Sequence, residues 1–166
     1  MTAVVIETNL GTIHLDLDAS VAPKTVENFL RYVDKGHYEG TIFHRVIPNF
    51  MAQGGGFDQQ YEKKSVGAPI ENEASAAAKN LRGTVAMART SDPHSATAQF
   101  FVNVVDNAFL DHIVKTFSGW GYTVFGKVTS GMEVVDKMVS GRTGAQGPFS
   151  KDAPLEPIVI KSAKRA

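Results

Sequence analysis

The side chains best suited to chemistry lie in one stretch, Ile42-Phe43-His44-Arg45-Val46-Ile47-Pro48-Asn49-Phe50-Met51-Ala52-Gln53-Gly54-Gly55-Gly56. One arginine stands among apolar residues, with Phe50, Met51 and Gln53 close behind it. If Ile42 to Arg45 and Met51 to Gly54 are strands, their side chains alternate between faces. Ile42 and His44 then share one face, and Phe43 and Arg45 the other. Arg45 and Gln53 would stand beside Phe50 on one wall, giving a fixed cation, an amide and an aromatic ring. Taken alone, Arg45 is as well read as a structural arginine paired with a carboxylate, and Phe50 and Met51 as ordinary core.

The rest of the composition narrows the chemistry. With no cysteine among 166 residues, disulfides, zinc-thiolate sites and thiol catalysis are excluded. Five histidines are present, none in a convincing metal-ligand spacing. Alternation turns His44 away from Arg45, and His14, His94 and His112 are expected at the surface. Gly54-Gly55-Gly56 lacks the lysine and hydroxyl residue of a phosphate-binding loop, so a tight turn explains it better. Seventeen basic and seventeen acidic residues balance, which gives no pull toward nucleic acid or an anionic membrane.

The elements that must position these groups are short. Ala3–Thr8 and Gly11–Leu17 form a β-hairpin pattern, with Ile13, Leu15 and Leu17 alternating against His14, Asp16 and Asp18. Pro23 opens a helix whose apolar stripe is Val26, Phe29, Leu30 and Val33, with Gly36 placed to end it. Residues 57–68 are polar and glycine-punctuated, a surface loop. Residues 69–73 suit a short strand or an extended segment, and 74–79 a short helix or an irregular turn. Strands are expected at Gly83–Arg89, Gln99–Val104 and Thr123–Val128, with Gln99, Phe101 and Asn103 on one face. A second helix begins near Met132 and carries Val134, Val135, Met138 and Val139 to Gly141. Arg142–Pro154 reads as a long loop, and Pro157–Lys161 as a last strand beside the first. About eight strands with two separated helices, and no repeat or linker, predict a single mainly β domain spanning residues 1–166. Its expected form is a closed eight-stranded antiparallel barrel capped by two helices. Bulky inward residues would fill its interior, which argues against a small-molecule carrier.

The run from Phe43 to Gly55 resembles the signature of the cyclophilins, the peptidyl-prolyl cis-trans isomerases. Met87-Ala88-Arg89, Ser95 to Phe101, Phe109-Leu110 and Tyr122 to Val128 follow in that family's order and spacing, so the likeness covers almost the whole chain. The short Asp34–Gly40 segment and the Gly-Trp-Gly-Tyr approach to the late strand look like the bacterial cytosolic type. The resemblance implies catalysis by Arg45 with Phe50 and Gln53. It also implies an apolar proline pocket of Phe50, Met51, Phe101 and Leu110, and a peptide groove that includes Ala88, Arg89 and Gln99. Phe109, Tyr122 and Arg89 stand where many eukaryotic members carry tryptophan, histidine and asparagine. Because the inhibitor cyclosporin is held partly at that tryptophan position, the resemblance implies weak cyclosporin binding.

The implied function is isomerisation of X–Pro bonds in peptides and in unfolded or flexible protein segments. No cofactor, nucleic acid or membrane is implied. The N-terminus reads as a first strand rather than a signal peptide, which implies the cytoplasm, and the balanced charge implies a monomer. The rival is a non-catalytic proline-peptide-binding or chaperone module using the same pocket.

Overall fold

The computed structural model describes residues 1–166. In chain order the elements are β1 (Thr2–Thr8), β2 (Gly11–Leu17), α1 (Pro23–Asp34), β3 (Arg45–Ile47), β4 (Met51–Gly54), β5 (Thr84–Met87) and β6 (Phe100–Asn103). A 3₁₀ turn (Ala108–Leu110), β7 (Val124–Ser130), α2 (Met132–Ser140), β8 (Thr143–Gln146), β9 (Phe149–Pro154) and β10 (Ile160–Arg165) complete the chain. Eight strands form one antiparallel sheet in the order β10-β1-β2-β7-β5-β6-β4-β3, and β8 and β9 form a separate hairpin. No helix is long and apolar enough to cross a membrane.

The predicted first hairpin, both helices and the pairing of the last strand with the first are all present. The last strand lies three residues later than expected, and residues 74–79 form turns rather than a helix. Arg142–Pro154, read as a loop, instead holds the β8–β9 hairpin.

The closed barrel also needs correcting. The sheet is open and curled, with β10 and β3 as its two edges. Those edges meet just outside the strands, at one antiparallel bridge between Ile42 and Val159. Phe43 N donates to Ile158 O (2.9 Å) and Ile160 N to Thr41 O (2.8 Å) across the same seam. The strand predicted at Ile42–Arg45 is therefore displaced, and β3 begins at Arg45. Residues 41–44 are all buried, with no alternation, because they fill the seam.

A main core lies inside the curl. Phe29 of α1 packs its ring 5.1 Å from Phe125, 5.1 Å from Tyr38 and edge-on to Phe100 at 5.5 Å. Val134, Val135, Met138 and Val139 of α2 enter the same cluster, so each helix buries the stripe its sequence predicted. The sheet's other face carries a second, smaller apolar cluster of Met51, Ala86, Phe101, Leu110 and Val124. This is why β6 is buried at every position: Phe100 and Val102 face the main core, whereas Phe101 faces the small one.

Candidate active site

The smaller cluster is the floor of a surface pocket, and strand register builds it. Arg45 pairs with Gln53, Gln53 with Phe101, and Phe101 with Ala86, giving one row across β3, β4, β6 and β5. Neighbouring strands lie about 4.8 Å apart, so the row sets a guanidinium, an amide and an aromatic ring side by side. Met51 shares this face two residues before Gln53. Phe50 sits in the turn between β3 and β4, after Asn49, whose φ of 61° lies in the left-handed region that asparagine tolerates well.

The pocket has a volume of about 130 Å³ and is lined by Arg45, Phe50, Met51, Gln53, Ala88, Arg89, Phe101, Leu110 and Tyr122. Nine of the eleven site residues expected from the sequence thus come together. The other two lie beside it. Gln99 lines an adjoining polar groove with Gln53, Ala88 and Arg89. Phe109 stands on the rim, 73% exposed, with its ring 5.6 Å from that of Phe50.

Arg45 is exposed at the pocket mouth. Its Nη1 donates to Gln53 Oε1 at 3.5 Å, and its Cζ lies 5.9 Å from the Phe50 ring centre. Both contacts are at the long end of their ranges, so they guide the guanidinium without consuming its donors. Gln53 is oriented in turn, its Nε2 donating to Gln99 Oε1 at 3.0 Å. Gly56 makes room for that partner, since any side chain there would collide with Gln99.

Two of the three departures from the eukaryotic pattern form one wall. Arg89 Cζ lies 4.4 Å from the Tyr122 ring centre, and its Nε and Nη2 both donate to Gly121 O (3.1 and 3.0 Å). Tyr122 meets Phe101 edge-on at 5.8 Å. Arg89 is therefore held against the ring, and the two line the pocket together.

Sequence reasoning missed the support behind the pocket. Asn80, Asn103 and Asn107 are almost wholly buried. Asn107 Nδ2 donates to Phe50 O (2.9 Å) and Asn103 Oδ1 (2.8 Å), and Asn103 Nδ2 donates to Asn80 Oδ1 (3.0 Å). Asn80 Nδ2 donates to Leu110 O (3.2 Å). This chain of carboxamides fixes the backbone carbonyls of two residues, Phe50 and Leu110, whose side chains line the pocket. The one signal in the sequence was Asn103, a carboxamide on an otherwise apolar strand.

His44 is not among the residues lining the pocket. It is only 5% exposed, with its ring 4.7 Å from Phe57 and 5.0 Å from Phe149 of the β8–β9 hairpin. Its Nδ1 has no hydrogen-bond partner. Burial, and secondarily the Arg45 charge, lower its pKa to about 4, so the ring is neutral at ordinary pH. His14 and His94 are exposed as expected, but His112 is half-buried, with Nδ1 2.7 Å from Trp120 O.

The sequence profile of the cyclophilin type peptidyl-prolyl cis-trans isomerase/CLD family matches residues 3–165. The chain belongs to the cyclophilins. It is 58% identical over 164 residues to peptidyl-prolyl cis-trans isomerase cyp18 of Streptomyces antibioticus, covering 99% of this chain and 98% of that one. Identity to peptidyl-prolyl cis-trans isomerase B of Escherichia coli K12 is 52% over 159 residues, 96% of each chain. Among solved structures, a cyclophilin from Cryptosporidium parvum, crystallised in the presence of the dipeptide Ala-Pro, superposes with a TM-score of 0.77 at 27% identity. That match covers 99% of this chain and 98% of the parasite protein. The cyclophilin fold and the bacterial likeness expected from the sequence both hold.

Proposed function

We propose that this cyclophilin accelerates cis–trans isomerisation of X–Pro bonds in peptides and in unfolded or flexible protein segments, with Arg45 as the catalytic donor. The observation that carries this reading is the cross-strand row, in which Arg45 and Gln53 stand over the apolar floor of Met51, Phe101 and Leu110. The Ala-Pro dipeptide used with the parasite relative supports a proline ligand for the same fold.

The chemistry asks little beyond hydrogen bonding. The barrier of roughly 18–20 kcal/mol comes from amide resonance that rotation must break. No bond is cut, so neither a nucleophile nor a Lewis acid is required. As the C–N bond twists, the prolyl nitrogen becomes pyramidal and gains a usable lone pair. A guanidinium aimed at it donates a hydrogen bond that the nitrogen of the planar amide, its lone pair delocalised, hardly accepts, and such selective stabilisation is what lowers a barrier.

An acceleration of about 10⁵-fold needs about 7 kcal/mol. One preorganised donor contributes roughly 3–4 kcal/mol, by analogy with oxyanion-hole donors. The remainder falls to the pocket, which grips the proline ring against Phe50, Met51, Phe101 and Leu110 while Gln53, Arg89 and Gln99 hold the flanking backbone. The reading includes no cofactor, a cytoplasmic location and a monomeric state. Cell fractionation and sedimentation test the last two.

The deciding measurement is NMR exchange in a short Ala-Pro peptide, with the native protein and a folded Arg45→Ala variant. Fast exchange that falls about 10²–10³-fold in the variant, with binding largely kept, is the expected result. Binding without accelerated exchange in the native protein would make it a proline-binding module instead.

A further inference from the structure

Of the eight large apolar side chains exposed on this protein, four (Phe109, Ile113, Val114 and Phe117) fall within nine consecutive residues. Scattered singly, such residues need no explanation, but gathered together they mark an interaction surface. Phe109, Ile113 and Phe117 line a groove of about 410 Å³ whose other wall includes Arg89 and Tyr122. The same two residues wall the proline pocket. The two hollows therefore adjoin, and the Phe50–Phe109 ring contact at 5.6 Å bridges their apolar surfaces.

The loop that presents this shelf is built rather than loose. Ile113 N and Val114 N both donate to Gly119 O (2.8 and 3.1 Å), and Trp120 N donates to Thr116 O (3.0 Å). Tyr122 N donates to Leu110 O (2.9 Å). Gly121, at φ +77°, lies so close to the backbone of residues 110–112 that a side chain there would collide with it. The exposed side chains thus stand on a folded turn, and at 81% and 74% exposure Ile113 and Phe117 do little for the core.

We propose that this shelf is a docking subsite for apolar side chains of the substrate chain whose proline occupies the pocket. The inference rests on the isomerase reading of that pocket. Adjacency to the pocket selects the occupant: Phe109 lies less than about two extended residues from Phe50, at roughly 3.3 Å per residue. A leucine, isoleucine or phenylalanine two to four residues from the proline reaches the groove. The groove's one cation, Arg89, is matched by the carboxylate of Asp111 in the same lining, so the apolar surface of Phe109, Ile113 and Phe117 rather than charge sets the preference. The favoured substrates are X–Pro bonds set in hydrophobic sequence, which a finished fold buries and an unfinished one exposes.

The test compares two Ala-Pro peptides of equal length, one with leucines and one with serines two to four residues either side of the core. The native protein is expected to favour the leucine peptide about five- to tenfold in kcat/KM, the value of partly burying one such side chain. An Ile113→Ser, Phe117→Ser double variant should bring the ratio to about one, with its thermal melt reporting that the fold is kept. Equal rates for both peptides in the native protein, or an unchanged preference in the variant, would overturn the proposal while leaving the isomerase intact. No acceleration of either peptide would remove the isomerase reading and this one with it. A dimer that the double variant abolishes, without any peptide preference in the native protein, would assign the shelf to a second copy of the chain.

Discussion

Acidifying this protein should weaken it through one histidine. His44 has a pKa of about 4 in the folded state against 6.5 when unperturbed, chiefly because burial penalises the charged ring. The unfolded chain therefore binds a proton between these values that the folded chain refuses. By linkage, the stability from His44 is fully present above about pH 6.5 and declines as pH falls toward 4. Two and a half pH units at about 1.36 kcal/mol each give a loss of about 3 kcal/mol, a large part of the ~5–15 kcal/mol typical of a domain. The pKa of the buried His37 is lowered as well, chiefly through burial. The lowered carboxyl groups of Asp18, Asp34 and Asp136 release their contributions below about pH 3.8, beneath this window.

A His44→Phe variant isolates the effect, because the new ring keeps the packing with Phe57 and Phe149 and removes the unpartnered Nδ1. Urea unfolding from pH 8 to pH 4 should show the native protein losing about 3 kcal/mol more than the variant. At pH 8 the variant should be as stable as the native protein or slightly more so. Identical acid losses in the two proteins would refute the argument, as would an NMR titration of the His44 ring centred near pH 6.5.

The remaining predictions concern the site. Between pH 6 and 8 kcat/KM should vary little, since arginine stays protonated and His44 stays neutral; a bell-shaped profile would argue for acid–base catalysis instead. Asn107→Leu leaves Asn103 Oδ1 without this donor and frees the Phe50 carbonyl from one of its two bonds. It should cost about 1–3 kcal/mol in urea unfolding and raise KM more than it lowers kcat, because the pocket wall serves ground and transition states alike. Cyclosporin should inhibit weakly, and Phe109→Trp should tighten it about fivefold in an inhibition titration, the worth of roughly one added hydrogen bond.

The parts of this molecule that were legible in sequence are those where one short run fixes several neighbours. Residues 45–53 set a turn between two strands, so the register that places Arg45 against Gln53 follows from local spacing. The helix stripes were legible for the same reason, since Val26, Phe29, Leu30 and Val33 recur at a period set by the helix itself. The β8–β9 hairpin was not, because Thr143-Gly-Ala-Gln and Ser150-Lys-Asp alternate no apolar face; what packs against Phe149 is His44, Phe57 and Tyr61, roughly ninety to a hundred residues away. The asparagine chain escaped for a related reason. Asn80 and Asn107 sit in loops, and only the fold brings them to Asn103. The seam was misjudged because residues 41–44 are buried on all sides, and period-2 reasoning has nothing to grip there.

The pairing of β1 with β10 has a consequence during synthesis. Val4 lies opposite Arg165, so the outer edge of the first strand is covered only by residues made about 160 positions later. Ribosomes add about 5–20 residues per second, which leaves that edge unpaired for on the order of ten seconds. Through that interval β1 and β2 form a nascent hairpin with an open row of backbone donors and acceptors, the feature that invites aggregation. Contacts so distant in sequence also slow folding itself. The outer edge of β1 thus stays exposed until β10 has been made, a period that nascent-chain chaperones are suited to cover.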